Sequence, residues 1–271
     1  MIKMSVFTCE KITERIIRIR CPGNVFAFLA LGDKKAALID TGFGVYSLKE
    51  YVGTLIDRPL TVLLTHGHYD HAGGAGEFEQ VLIDEKDISL AVSTCKKERR
   101  MAGLGPDVRW EDMITDPAEE QFLTFACEEE FDLGGLRVKM LPLVGHTAGS
   151  YCPLFVEERT VLLGDACNSA AYMQLNESLP VREYMKNLEI FRDRYEDLYD
   201  TVLYSHPHNF GGKEIIEEMI DLCRQVLEPG FADTCTEASP GSGVLYAKPI
   251  NDAYAPLDGS CANLLFTREK L

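Results

Sequence analysis

The chain contains six histidines, and three of them fall inside the short run Thr65-His66-Gly67-His68-Tyr69-Asp70-His71. The others are His146, His206 and His208. Imidazole and carboxylate groups crowded at the spacing H-x-H-x-D-H point to metal ligation, because several such donors on one segment can share an ion. In an extended stretch His66 and His68 face the same side and can grip one ion. Asp70 and His71 fall one step on, where the chain must turn, and can face a second ion. The other candidates also follow apolar runs. Leu136–Val144 leads into Gly145-His146-Thr147-Ala148-Gly149-Ser150, Thr160–Leu163 into Gly164-Asp165, and Thr201–Ser205 into His206. Open α/β sheets collect ligands beyond the carboxyl ends of their strands. Four strand ends that deliver His and Asp to one rim are what a dinuclear site requires.

The elements behind these ends are readable from periodicity. Apolar runs at Ile16–Arg20, Val25–Leu31 and Lys34–Asp40 predict antiparallel strands, the last two joined by a two-residue turn at Gly32-Asp33. Ser47–Ile56 predicts a short helix and Leu60–Thr65 a strand buried on both faces. Gly73–Phe78 reads as a helix start, Gln80–Asp84 as a strand and Glu85–Arg100 as a helix. Leu136–Leu141, Thr160–Leu163 and Thr201–Tyr204 read as further strands. Val181, Tyr184, Met185, Leu188, Phe191, Tyr195 and Leu198 recur at helical period, as do Ile215, Ile216, Met219, Ile220, Cys223 and Leu227. Residues 101–131, broken by Gly103, Gly105, Pro106 and Pro117, read as an insertion or lid, and Trp110 within them as a pocket wall or a hydrophobic plug. The tail after Pro229 is irregular, with strands expected at Val244–Pro249 and Asn263–Thr267. No Pro/Ser-rich linker divides the chain. A single domain over residues 1–271 is expected, with a core over about 12–228 and an extension over about 229–271.

Taken in order, Asp40-Thr41-Gly42, the H-x-H-x-D-H run, G-H-T-A-G-S, Gly164-Asp165 and the late His206 resemble the motif set of the metallo-β-lactamase-fold hydrolases, over residues 24 to about 210. The resemblance implies an α/β fold, an αββα four-layer sandwich with two metals at one edge. It implies that His66, His68 and His146 hold the first ion, that Asp70, His71 and His206 hold the second, and that Asp165 bridges them. Asp40 would support the ligand loop by hydrogen bonding. One departure concerns the last ligand: the family commonly has a P-G-H-G-like segment where this chain reads Tyr204-Ser205-His206-Pro207-His208. His206 follows its strand as the other ligands do; His208 is the alternative ligand, or a substrate contact.

Two divalent ions, zinc by preference with iron or manganese also suited to His/Asp donors, would carry a bridging hydroxide. The expected reaction is cleavage of an ester, thioester or lactone-type small molecule, with Asp70 as the catalytic residue that orients the hydroxide or carries a proton. Alternatives are a mononuclear iron dioxygenase of the same fold acting on a sulfur substrate, or a phosphodiester hydrolase. Tyr172 could serve a leaving alkoxide, though core packing is the simpler reading.

Composition bounds the partners. With 27 basic against 43 acidic residues the net charge is −16. Nucleic acid and anionic membrane surfaces both select for Lys and Arg, so neither is an expected partner. A small-molecule substrate is expected, and a homodimer is compatible with a chain of this size. No apolar stretch is long enough for a membrane span. The nine cysteines are odd in number and scattered without C-x-x-C spacing, which reads as free thiols in a reducing cytoplasm. The stretch Met1–Arg20, with Lys3, Glu10, Lys11, Glu14 and Arg15, has no apolar leader core and points the same way.

Overall fold

A computed structural model describes residues 6–106, 108–251 and 255–271. Residues 1–5 of the stretch read for a leader, Asp107 of the 101–131 segment and residues 252–254 of the tail lie outside the described residues. The chain divides into two compact units, one of Met1–Leu141 with Pro153–Glu158, the other of Pro142–Cys152 with Arg159–Leu271.

The first unit is built on a seven-stranded sheet whose spatial order is its chain order. Its strands are β1 (Thr8–Lys11), β2 (Ile16–Cys21), β3 (Val25–Leu31), β4 (Ala36–Ile39), β5 (Leu60–Leu63), β6 (Val81–Ile83) and β7 (Phe122–Thr124). Pairing is antiparallel from β1 to β4 and parallel from β4 to β7. β4 is buried along its whole length, as its unbroken apolar run requires. Parallel neighbours need crossovers, and helices supply them. They are α1 (Leu48–Gly53) before β5, α2 (Tyr69–Ala72) before β6, and α3 (Ile88–Thr94) with α4 (Lys97–Ala102) before β7. An antiparallel pair, β8 (Glu130–Asp132) and β9 (Arg137–Pro142), follows.

Three expectations are corrected here. The β3–β4 turn is Asp33-Lys34, one residue later than Gly32-Asp33, because the Gly32 amide already donates to the Lys35 carbonyl at 3.0 Å. Gly32 is glycine for a different reason: the Leu133 backbone lies where its Cβ would be. The helix read over Glu85–Arg100 is broken at Cys95-Lys96, where Lys96 is extended and the Cys95 carbonyl accepts from the Arg100 side chain at 2.8 Å. Within the 101–131 segment, Phe122–Thr124 is the edge strand β7, so its second half is sheet instead of lid.

The strand β10 (Tyr151–Phe155) runs across the division between the units. The second unit continues with β11 (Thr160–Leu162), β12 (Ala171–Tyr172), α5 (Val181–Tyr195), β13 (Thr201–Leu203), α6 (Ile215–Val226), β14 (Thr236–Glu237), β15 (Leu245–Tyr246) and β16 (Leu264–Phe266). β11 and β13 pair in parallel. A four-stranded sheet runs β12-β16-β15-β14, with β12 parallel to β16 and the other pairs antiparallel. α5 buries Val181, Tyr184, Leu188, Phe191 and Tyr195, the period-3.6 stripe of the sequence, and packs against α6. Both strands expected in the tail are present, in shorter form, as β15 and β16. The whole is mixed sheet with helices, an α/β fold.

Candidate metal centre

The first unit carries His66, His68, Asp70 and His71. β5 ends at Leu63, the chain bends at Thr65 and again at Gly67, His68 is extended, and α2 begins immediately after it. The turn expected between the His pair and the Asp-His pair is therefore the first turn of a helix. Nε2 of His66 lies 3.0 Å from Nδ1 of His68, and Nε2 of His71 lies 3.6 Å from Oδ2 of Asp70. His66, His68 and His71 are all buried.

Asp40 sets the tautomers. It follows β4 and is fully buried, and its carboxylate accepts from the Thr65 amide at 2.8 Å, from the Thr65 hydroxyl at 2.9 Å and from His71 Nδ1 at 2.8 Å. His71 must then carry its proton on Nδ1, which leaves a lone pair on Nε2. With its only proton committed to Asp40, the Thr65 oxygen must accept from His66 Nδ1, 3.0 Å away. His66 is thereby fixed with its lone pair on Nε2 as well. The hydrogen-bonding role expected for Asp40 is thus present, and through Thr65 it reaches two histidines.

Gly67, between the first two histidines, is clamped at both ends of its residue. Its amide donates to Asp87 at 2.8 Å and its carbonyl accepts from the Thr94 hydroxyl at 2.9 Å. A Cβ at Gly67 would come within 2.7 Å of the Asp87 carbonyl oxygen. Nothing in the sequence marked Asp87 or Thr94, since an acid at a helix start and a Thr inside a helix have ordinary local explanations.

The second unit carries His146, Asp165 and His206. The motif around His146 is a tight turn: Gly145 N–H donates to the Thr147 carbonyl, and the hydroxyls of Thr147 and Ser150 lie 2.7 Å apart. His146 Nδ1 faces the Tyr172 carbonyl at 3.0 Å, which makes it the protonated nitrogen and leaves Nε2 as the donor. Asp165 and His206 follow the paired strands β11 and β13. Oδ2 of Asp165 stands 3.4 Å from Nε2 of His206 and 3.9 Å from Nε2 of His146. Helix α5 braces both loops, Tyr184 donating to the Ala166 carbonyl at 2.7 Å and Asn187 to that of Val144 at 2.9 Å.

These donors fit divalent metals. The 3.4, 3.6 and 3.9 Å separations are long for nitrogen–oxygen hydrogen bonds. Two ligands each about 2.0–2.1 Å from one tetrahedral ion lie roughly 3.4 Å apart. Asp70 and Asp165 keep 20% and 14% of their side-chain surface exposed, so the donors are open to a ligand.

The other candidates separate cleanly. Cys167 is fully buried and its thiol is pushed well up by desolvation, an inert core group. Tyr172 is 45% exposed, against the core-packing reading, and serves His146 through its backbone. Trp110 is half exposed with the Lys97 ammonium 5.4 Å from its ring. His208 stacks against His206 with ring centroids 5.7 Å apart. Desolvation, then the neighbouring His206, holds its imidazole below the usual range.

The family model of the metallo-beta-lactamase superfamily matches residues 20–206. The chain belongs to that superfamily. Among its members, the human "Acyl-coenzyme A thioesterase MBLAC2" is 23% identical over 232 residues, covering 75% of this chain and 80% of that protein. The Drosophila melanogaster "Beta-lactamase-like protein 2 homolog" is 32% identical over 196 residues, covering 68% of this chain and 62% of its own. Among solved structures, a metallo-beta-lactamase from Pontibacter korlensis superposes with a TM-score of 0.61 at 19% identity, covering 80% of this chain and 99% of its own. The superfamily's α/β fold is the fold found here, and its hydrolase members support a metallo-hydrolase with divalent metals as cofactor.

Proposed function

We propose that the protein is a dinuclear metal-dependent hydrolase of small-molecule thioesters, with esters and lactones as neighbouring substrates. On the family resemblance, His66, His68 and His146 would hold one ion and Asp70, His71, Asp165 and His206 the other. The observation that carries the dinuclear reading is the position of one atom. Oδ2 of Asp165 faces Nε2 of both His146 and His206, so one carboxylate would serve the ions held by both histidines. The likeness to the MBLAC2 thioesterases supports the substrate class.

These residues would hold two divalent ions, zinc by preference, and the ions would supply activation of water and Lewis-acid chemistry at neutral pH. Asp40 keeps His66 and His71 in the tautomers that donate from Nε2. Asp70, partly exposed and 3.6 Å from His71, orients the attacking oxygen and carries its proton toward the departing thiolate. A thiolate is a good leaving group, so the chemistry makes small demands on a general acid, and no further acid is assigned. The net charge of −16 supports a small-molecule substrate over nucleic acid. Among the described residues no helix is long and apolar enough to cross a membrane. A cytoplasmic, single-domain enzyme is part of the same proposal.

The test is metal content by plasma mass spectrometry together with turnover of acyl thioesters, esters and lactones, before and after chelation. Close to two zinc or manganese ions per chain, with thioester hydrolysis lost on chelation and restored by metal, is the expected result. One iron per chain, or hydrolysis indifferent to chelator, overturns it.

A further inference from the structure

Arg100 is the one arginine buried without any exposed side-chain surface among the described residues, and its surroundings are mostly backbone. Its Nε donates to the Cys95 carbonyl at 2.8 Å. Its Nη1 donates to the carbonyls of Phe43 at 3.1 Å, Gly44 at 3.3 Å and Gly73 at 3.0 Å. Its Nη2 donates to the Ile114 carbonyl at 2.7 Å and to Oδ1 of Asp116 at 3.0 Å. A guanidinium has five N–H donors in a rigid fork, and here, besides the nearby Cys95 carbonyl, they reach three separate stretches of chain.

Two of those stretches are the walls of the ligand loop. The segment after β4 is zipped to helix α2 residue by residue. Asp40 holds the His71 ring, and the Thr41 amide and hydroxyl donate to the His71 carbonyl at 2.7 and 2.8 Å. Gly42 bridges to Ala72. The Gly74 amide adds long bonds to the Gly42 carbonyl and the Thr41 hydroxyl, both at 3.2 Å, and beside them the carbonyls of Phe43 and Gly73, which would repel each other, share Nη1 of Arg100 as their donor. Opening that contact would let α2 pivot on His71, and α2 carries both Asp70 and His71. The third stretch, Ile114 to Asp116, brings the segment that the sequence marks as an insertion into the same frame. Asp116 also accepts from the Lys97 amide at 2.9 Å.

We propose that Arg100 is a positioning residue for the metal-binding helix: it clasps Gly73 at the end of α2 to Phe43 beyond the Asp40 loop, and so holds Asp70 and His71 at ligating geometry. This rests on the dinuclear reading above. Lysine keeps the charge but offers a single nitrogen in place of the fork, so Arg100→Lys loosens the clasp without emptying the cavity. Val52→Ala, which trims a buried α1 side chain of the same unit, serves as the control for lost stability alone.

The experiment is competitive chelator titration of the zinc-loaded protein, read with melting temperature and with the visible absorption of the cobalt(II)-substituted form. Wild type should hold two ions. Arg100→Lys should bind one of them at least about tenfold more weakly, the range seen when groups supporting ligands are changed, and should alter the cobalt spectrum. Val52→Ala should lose melting temperature yet keep both ions as in wild type. If Arg100→Lys does not fold, Asp116→Asn carries the test, with weakened binding of one ion expected. Wild-type affinity in the folded Arg100 or Asp116 variant overturns the clasp, as does equal weakening by Val52→Ala. A wild type that binds fewer than two ions overturns the dinuclear reading instead.

Discussion

Asp165 and His206 stand at matching steps of two parallel strands. Leu162 of β11 is the register partner of Leu203 of β13, and each of the two candidate ligands lies three residues beyond its Leu, with Oδ2 and Nε2 3.4 Å apart. His208, two residues further, has no such place in the register. His206→Ala should therefore remove one of two bound ions and nearly all hydrolysis, whereas His208→Ala should keep both ions. Metal stoichiometry of the two variants decides it, and loss of an ion from His208→Ala would reverse the assignment.

Asp40 offers a conservative probe. Its φ of 64° lies in the left-handed region, which Asn tolerates nearly as well as Asp, so Asp40→Asn should keep the backbone. The amide loses the negative charge beside His71, and with one oxygen in place of two it cannot accept from both the Thr65 amide and His71 Nδ1. Metal affinity should fall by about 10–100-fold with the fold retained, measurable by chelator competition beside circular dichroism. Unchanged affinity would mean that the His71 tautomer is set elsewhere.

Alkaline stability follows from buried thiols. Desolvation pushes Cys21, Cys95 and Cys223 from 9.0 up to about 12. A raised folded pKa means that the native state binds protons the unfolded chain has already released. The contribution is fully present below pH 9 and is lost as pH rises from 9 toward 12. Denaturant midpoints should hold steady from pH 7 to 8.5 and decline beyond pH 9. A flat profile to pH 11 would show that these thiols ionise as freely folded as unfolded.

Metal removal should cost stability as well as activity, because an ion bound only by the native donors stabilises in proportion to the logarithm of its saturation. At free metal about 100-fold above its dissociation constant the gain is about 2.7 kcal/mol per ion. Differential scanning calorimetry with and without chelator should show a clear drop in melting temperature. Identical melting curves would mean that the donors are not loaded in the native protein.

The ligand candidates were legible because their chemistry is local: three histidines and an aspartate within one short run, and a polar residue at the end of each apolar strand. The long amphipathic helix 181–198 was legible for the same reason, though Leu198 lies past the end of α5 and is 38% exposed. What could not be read were contacts between distant stretches. The Arg100 fork spans Phe43 to Asp116, and from the sequence Arg100 is one of five consecutive charged residues from Lys96, which pattern as solvated surface. Asp87 and Thr94 grip Gly67 from a helix that begins some twenty positions later. The Gly32 turn was misplaced because the constraint on that glycine comes from Leu133, a hundred residues away.

The parallel pairing of β12 with β16 has a consequence in time. The Met173 amide donates to the Leu265 carbonyl at 2.8 Å and the Ala171 amide to that of Asn263 at 3.0 Å, so the backbone that offers Tyr172 O to His146 is seated on residues 263–265. A chain growing on the ribosome makes His66, His68, Asp70 and His71 early and His146 later, but the strand that seats the partner of His146 follows all of them. On the proposed ligand set, metal capture at His146 would therefore wait for residues 263–265, and a nascent chain with only its first sheet formed would offer an incoming ion only part of its ligands.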